Sequence, residues 1–433
     1  MSNEYDIVII GAGPAGLALA QCVSHLNKRI LIIEKENVIG GCHAVRRING
    51  LFTEHGPRVY SSTYKVFQSL LNEMGVDFYN LFTKYNFSVS EIGGETIFST
   101  LSWSELGYLF KEFTMLMLND NHGVNVILKD YLHNNNFDEN SVEMIDRVCK
   151  LTDGGGVDKY TLQEFLQLFN QQFFYSLYQP KLPNDIGLFK IWKDALQNKG
   201  VHFYLDTTIK NINIKDKKIE SVNLYVNNYL ETIYSKKFIM AIPPKNLLEM
   251  TTKFNISHSW GNLKQYAIDT AYIEYMSVSF HWNKDLNLKK VYGFPKSSWG
   301  IAFVVLSDYM KFEETNSKTV ISAAVTISNR RSPNNNKMAN ECNANELVDE
   351  MFLQLKEAYP SLPRPTVSIM SPVVKYDDKN NNITIEKGSI TINGVSLTVV
   401  NSKKSEFSVA IIPYTFENTN FNQSKSIHLI LNI

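Results

Sequence analysis

The spacing of apolar and polar positions changes character several times along the chain. Residues 5–10 (YDIVII) form an apolar run interrupted only by Asp6, the pattern of a strand buried on both faces of a parallel sheet. Leu17, Ala18, Ala20, Gln21, Val23 and Leu26 then recur at helical spacing, and residues 29–33 (RILII) give a second buried strand. From about residue 61 to residue 197 the period is mainly helical. Residues 64–74 and 101–118 each carry an apolar stripe, and Phe165, Leu168, Phe169, Phe173 and Leu177 align as an aromatic stripe of the kind that packs in a core. Residues 138–146 read as a charge-rich helix start with a solvated face. Strand character returns at 201–205. An alternating segment follows from Thr207, Thr208 and Ile209 through Ile212, Ile214, Ile219 and Val222, and after a hairpin comes the run 238–244 (FIMAIPP). Residues 271–282, 300–306 and 319–327 predict three further strands. The class is α/β.

The junction between the first strand and helix carries the strongest chemical signal. Gly11, Gly13 and Gly16 follow the strand at once in a GxGxxG arrangement, and Glu34 ends the second strand. Each glycine has a separate task. Gly11 permits the tight turn, Gly13 lets the backbone approach a pyrophosphate, and Gly16 allows close helix–strand packing. The helix N-terminus at Pro14 and Ala15 offers unpaired N–H groups and the positive end of a dipole. Glu34, followed by Lys35, stands where a carboxylate accepts hydrogen bonds from a ribose. Strand, glycines, helix, strand and acid in register predict a dinucleotide-binding domain of Rossmann type.

Composition narrows the remaining classes. Lys+Arg and Asp+Glu are both 43, so the formal charge is zero and the basic footprint of a nucleic-acid binder is missing. Cys22, Cys42, Cys149 and Cys342 lie far apart and form no CxxC, which argues against both a disulfide framework and a zinc knuckle. The expectation is a soluble protein of a reducing, cytoplasmic compartment, without a transmembrane helix and with a small-molecule substrate. Residues 153–164 imitate a calcium loop, with Asp153, Asp158 and Glu164, but lack oxygen ligands at the third and fifth places and a glycine at the sixth. Neither this loop nor the nine histidines suggests a metal site.

Past Glu34 the sequence resembles a known superfamily. Val38-Ile39-Gly40-Gly41 adds a second glycine pair, and Phe52-Thr53-Glu54-His55-Gly56-Pro57-Arg58 follows. These segments, with residues 238–244, resemble the flavin-containing amine oxidase superfamily, which includes protoporphyrinogen oxidase and phytoene desaturase relatives. UDP-galactopyranose mutases share the same opening and a similar G-P-x-aromatic turn. The resemblance implies FAD rather than NAD, held by Gly11, Gly13, Pro14, Ala15, Gly16, Glu34, Lys35, Gly40, Gly41 and Arg58, with Ile209 offering backbone contacts to adenine. Arg46 is a further candidate near the pyrophosphate or flavin.

The implied architecture has an FAD-binding domain from residues 1–60 and 198–250 and a mainly helical insertion at 61–197. A substrate-lobe sheet follows at 251–376. The implied activity is oxidoreduction, with hydride passing from an organic substrate to the flavin. Many amine oxidases carry a lysine near the start of the first substrate-lobe strand; here that position aligns with Tyr275, a departure from the amine-oxidase pattern. No catalytic acid or base stands out, and the terminal Gly-rich segment that completes the FAD site in the superfamily has no counterpart. Two alternatives stay open: a mutase-like flavoenzyme without net redox, against which the eight arginines count, and a non-catalytic flavin-binding remnant.

The C-terminus belongs to a different pattern. Residues 386–399 (EKGSITINGVSLTV) and 407–415 (FSVAIIPYT), then Thr419 and Asn420, resemble the later half of the second lumazine-binding barrel of riboflavin synthase. The resemblance places Lys387, Ser396, Thr398, Ile412 and Thr415 at or near a pteridine pocket. It makes residues 377–433 a short β-rich tail, a partial barrel. Most of that enzyme has no counterpart here, so riboflavin synthesis is not expected.

Overall fold

A computed structural model of the chain describes residues 3–371 except 57, 86–96, 154, 175, 217, 227–228, 257–261, 271, 275, 289–296 and 313–314, together with strands between residues 384 and 410. The first sheet has six strands in the order β8 (His202–Tyr204), β2 (Ile30–Ile33), β1 (Glu4–Ile10), β11 (Tyr229–Met240), β10 (Lys218–Val226), β9 (Ile209–Lys215). β8, β2, β1 and the second half of β11 run parallel. The first half of β11 pairs antiparallel with β10, and β10 with β9. β11 therefore joins two sheets of different kind: Tyr234 pairs with Ser221 of the meander and also with Glu4 of β1.

The apolar run of β1 is explained by a core on each face. Ile7 and Ile9 join Ile30, Ile32, Leu17 and Ala20 under helix α1 (Pro14–Val23), where Trp192 of the helix Leu188–Asn198 also packs. Val8 and Ile10 join Leu31 and Ile33 against Ile209, Ile212, Val222 and Ile233 of the meander.

The stretch expected to be mainly helical also contains a three-stranded sheet, ordered β5 (Tyr60–Ser61), β7 (Leu177–Pro180), β6 (Phe82–Lys84). Leu177, aligned above with a helical stripe, is instead the first residue of β7, because pairing with Ser61 overrides the local period. Phe165 does lie in the core of the helices, fully buried with Leu109, Leu132, Ile145 and Cys149. The helix Glu139–Asp153 is less solvated than its charge suggests. Glu105 anchors its start, accepting from Asp138 N at 2.7 Å and Ser141 Oγ at 3.0 Å, while Met144, Ile145 and Cys149 are buried. The calcium-like loop ends in a cap rather than a ligand: Glu164 accepts from Thr161 N at 2.8 Å. No His/Cys/Asp/Glu group among the described residues is built to hold a metal.

A second large sheet is wholly antiparallel, with order β14 (Ala302–Val305), β15 (Thr319–Val325), β13 (Met276–Trp282), β16 (Val367–Met370). Every residue of β13 is buried, but its two faces differ. Met276, Val278, Phe280 and Trp282 pack with Trp299, Phe303, Ile321 and Met351. Ser277, Ser279 and His281 face the other way, toward the hairpin of β3 (Val45–Ile48) and β4 (Leu51–Glu54). β12 (Tyr272–Glu274) pairs with β17 (Thr384–Glu386), and β18 (Ser389–Ile392), β19 (Val395–Lys403) and β20 (Glu406–Ala410) form a three-stranded antiparallel sheet. Lys387, Ile412 and Thr415 lie outside the described residues, as does Tyr275.

Candidate dinucleotide cleft

The C-terminal ends of four parallel strands converge on one loop, the place where open α/β sheets bind ligands. Gly11 leaves β1 at φ +107°, a conformation that favours glycine, and donates to Ile33 O at 2.8 Å. A Cβ there would lie 2.5 Å from Ala241 O, just beyond β11, and a Cβ on Gly16 would lie 2.0 Å from Gly11 O. Gly13 differs. Its backbone is ordinary (φ −71°, ψ 174°), and a Cβ would meet only Gly41 Cα, at 3.9 Å. Packing thus requires glycine at 11 and 16, whereas Gly13 borders open space. Beside it, α1 begins with Pro14 and has no side-chain cap and no acidic residue in its first turn, so its positive end is uncompensated.

The second glycine pair folds back on the first. Gly40 donates to Ala12 O at 2.9 Å, and its φ of +112° with Phe189 pressed against it leaves no room for a side chain. Gly41, at φ +57°, comes so near that its Cβ would lie 3.1 Å from Gly13 Cα.

Glu34 is 9% exposed and ties the loop together. Its Oε2 accepts from Ala12 N at 2.7 Å and its Oε1 from Glu36 N at 3.0 Å, which fixes the carboxylate while leaving each oxygen a lone pair. Thr207 N donates to Glu34 O and Asp206 N to Glu36 O, both at 2.9 Å, so Ile209 begins β9 two residues beyond this contact and is buried. Lys35 is exposed and lies 4.0 Å from Glu36, and Arg46 Nη2 reaches the same carboxylate at 3.7 Å.

Next to the second glycine pair, Arg58 Nη2 donates to Cys42 O at 2.5 Å while its buried Nε has no partner. This region holds further polar groups that the sequence reading gave no role. Glu54 closes β4, Ser277 Oγ donates to Glu54 O at 3.1 Å, and Ser279 Oγ reaches Thr53 Oγ1 at 3.4 Å. His281 Nε2 bonds Phe52 O at 2.8 Å. Tyr60 OH accepts from Asn184 Nδ2 at 3.2 Å. Glu54 Oε1, Ser322 Oγ, Ser371 Oγ and Asn184 Oδ1 are buried without hydrogen-bond partners. An unmade bond of this kind costs about 1–3 kcal/mol, and a clustered set of them fits a site built around a polar ligand. The only sequence hint was the S-V-S-F-H-W alternation of β13, which marks a strand with one polar face.

Electrostatics around Arg58 follow from burial. Desolvation pushes the Glu54 carboxyl up to about 7, with the Arg58 guanidinium opposing and Ser322 near enough to oppose weakly without completing a hydrogen bond. Desolvation, helped by the charge of Arg58, pulls His43 and His55 down to about 3. The Tyr60 phenol is raised by burial.

Comparisons with known proteins agree with this geometry. A family profile described as NAD(P)-binding Rossmann-like domain matches residues 9–74, and one described as lumazine binding domain matches residues 360–432. Putrescine oxidase with bound putrescine superposes with a TM-score of 0.60 at 15% identity, covering 86% of this chain and 85% of that one. The chain has the fold of putrescine oxidase. An oxidoreductase from Methanosarcina mazei superposes with a TM-score of 0.62 at 14% identity, over 84% of this chain and 87% of its own. Curated relatives match over shorter stretches. Putrescine oxidase from Kocuria rosea is 30% identical over 76 residues, 18% of this chain and 16% of the relative. UDP-galactopyranose mutase from Mycoplasma genitalium is 41% identical over 61 residues, 13% of this chain and 15% of the relative. Riboflavin synthase from Actinobacillus pleuropneumoniae is 48% identical over 60 residues, 14% of this chain and 27% of the relative. The chain thus spans between 15% and 27% of the length of these curated relatives.

Proposed function

We propose that the chain is an FAD-dependent oxidoreductase whose cofactor lies between the glycine loops and the serine face of the second sheet. The carrying observation is that Gly13 borders open space at the start of α1, while Arg58, bonded to Cys42 O next to Gly41, and the nearby Glu54 and Ser322 each keep a buried polar atom without a partner. In this reading Gly11, Gly13, Pro14, Ala15, Gly16, Gly40 and Gly41 hold the pyrophosphate, with Glu34 on the ribose and Lys35 at its rim. Ile209 adds main-chain contacts to the adenine, and Arg58 lies near the flavin. Residues 1–60 and 198–250 form the cofactor domain, 61–197 the insertion and 251–376 the substrate lobe.

Bound FAD supplies the electron chemistry, accepting hydride from an organic substrate. The chain's own groups orient both partners and exclude water. The second glycine pair favours FAD over a nicotinamide cofactor, because it continues the polar path from the pyrophosphate toward Arg58. The four cysteines are free, in keeping with a reducing, cytoplasmic setting, and no helix among the described residues is long and apolar enough to cross a membrane.

The test is anaerobic mixing of the flavin-loaded protein with amine, polyene and porphyrinogen substrates. Bleaching of the flavin by one of these classes supports the proposal. The match to a UDP-galactopyranose mutase favours one competing reading: turnover of UDP-galactopyranose only after reduction, with no net electron transfer, establishes that reading instead.

A further inference from the structure

Among the described residues, Glu54 is the buried carboxyl on which Arg58 acts. Its side chain is 7% exposed and its Oε1 has no partner, while its main-chain carbonyl is tied to Ser277 across the lobes. Arg58 is the charged group that acts on it. Around Arg58 stand Tyr60, His43 and His55, and the sheet packed on β4 contributes Ser277, Ser279, Ser322 and His281. His281 is already committed, bonding Phe52 O and Ser317 Oγ. The serines and the neutral imidazoles can hydrogen-bond a ligand but do not exchange a proton with it near neutrality.

We infer that Glu54 is the proton-exchanging group of the cleft, presenting through its free Oε1 a donor when protonated and an acceptor when ionised to the flavin ring or the substrate beside it. This assignment rests on the FAD reading above. Geometry supplies the opportunity, since a buried carboxyl oxygen is left unpaired beside a guanidinium whose own Nε is unpaired. Burial supplies the working range, because a carboxyl raised to about 7 changes charge near neutrality while His43 and His55, pulled down to about 3, stay neutral there.

The experiment uses the full chain with its bound flavin, comparing wild type, Glu54→Gln and Glu54→Asp. Flavin absorbance and midpoint potential are followed from acid to alkaline pH. The wild type is expected to show one spectral transition near neutrality and a matching change in the slope of potential against pH. Glu54→Gln keeps a donor of the same shape, so it should be locked in the low-pH spectrum at every pH. Glu54→Asp should restore a transition, displaced from that of the wild type. A pH-independent wild-type spectrum, or a transition that survives unchanged in Glu54→Gln, overturns the assignment and leaves the FAD reading standing. Wild-type protein that binds no flavin overturns both.

Discussion

Gly13, the N-cap of α1, and Gly16, in its first turn, stand three residues apart, and their substitution should fail in opposite ways. Gly13→Ala meets nothing nearer than 3.9 Å and keeps an ordinary φ, so its cost in stability should stay within about 1 kcal/mol. Its methyl would occupy the space assigned to the pyrophosphate, so FAD affinity should fall at least about tenfold, as titration of apoprotein with FAD will show. Gly16→Ala drives a methyl to 2.0 Å from Gly11 O, so the Rossmann sheet should unfold or express insoluble before binding can be measured. Glu34→Gln leaves Ala12 N–H or Glu36 N–H competing with an amide donor and should weaken FAD binding with a stability loss of about 1–3 kcal/mol.

Glu54 adds a pH signature to the apoprotein. Its folded pKa, about 7, lies above the ordinary 4.5, so the folded form binds the proton more tightly. The stability this gives is fully present below the ordinary value and is lost as pH rises through about 7, a change on the order of 3 kcal/mol. Glu54→Gln should abolish that slope, and denaturant titrations at acid and alkaline pH will check it. The glycines and Glu34 were legible in the sequence because their constraints are local to one turn. Glu54 was not: it stands alone only because β13, 223 residues away, packs serines against β4.

Among the elements, β13 shows most clearly how one strand serves two purposes. Phe280 is fully buried in the core of the second large sheet, so Phe280→Ala should cost about 3–5 kcal/mol. Its neighbour Ser279 is equally buried but makes only a 3.4 Å contact with Thr53, so Ser279→Ala should cost under about 1 kcal/mol. Chemical denaturation of the two variants separates the structural face from the cleft face. The sequence announced β1, β2, β13, β14 and β15 through their apolar runs and the meander through its alternation, but not β16, and β1 reads as nearly continuous because cores lie on both of its sides. It concealed β5 and β7, which are two and four residues long and pair across more than a hundred residues. Short strands of that kind have no period of their own, so Leu177 was absorbed into the neighbouring helical stripe.

On the scale of the whole molecule, the two profile matches, to residues 9–74 and 360–432, lie at opposite ends of the chain. The lumazine-binding match begins at residue 360, yet Val367–Met370 forms β16 and pairs with β13 of the second large sheet. The sheet that contains β13 therefore continues into residues that the lumazine-binding profile also matches. The Methanosarcina mazei oxidoreductase and putrescine oxidase structures cover 84% and 86% of this chain. Fold resemblance does not fix chemistry, since one superfold hosts many reactions. A fatty acid isomerase from P. acnes superposes on this chain with a TM-score of 0.55. The cofactor is the common element in our proposal, and it can be measured without knowing the substrate. The decisive experiment is to purify the full chain, record its visible spectrum and identify any flavin released by denaturation. FAD in equimolar amount, bleached by chemical reductant, is the predicted result. A well-folded protein that carries no flavin and takes up none from added FAD contradicts it.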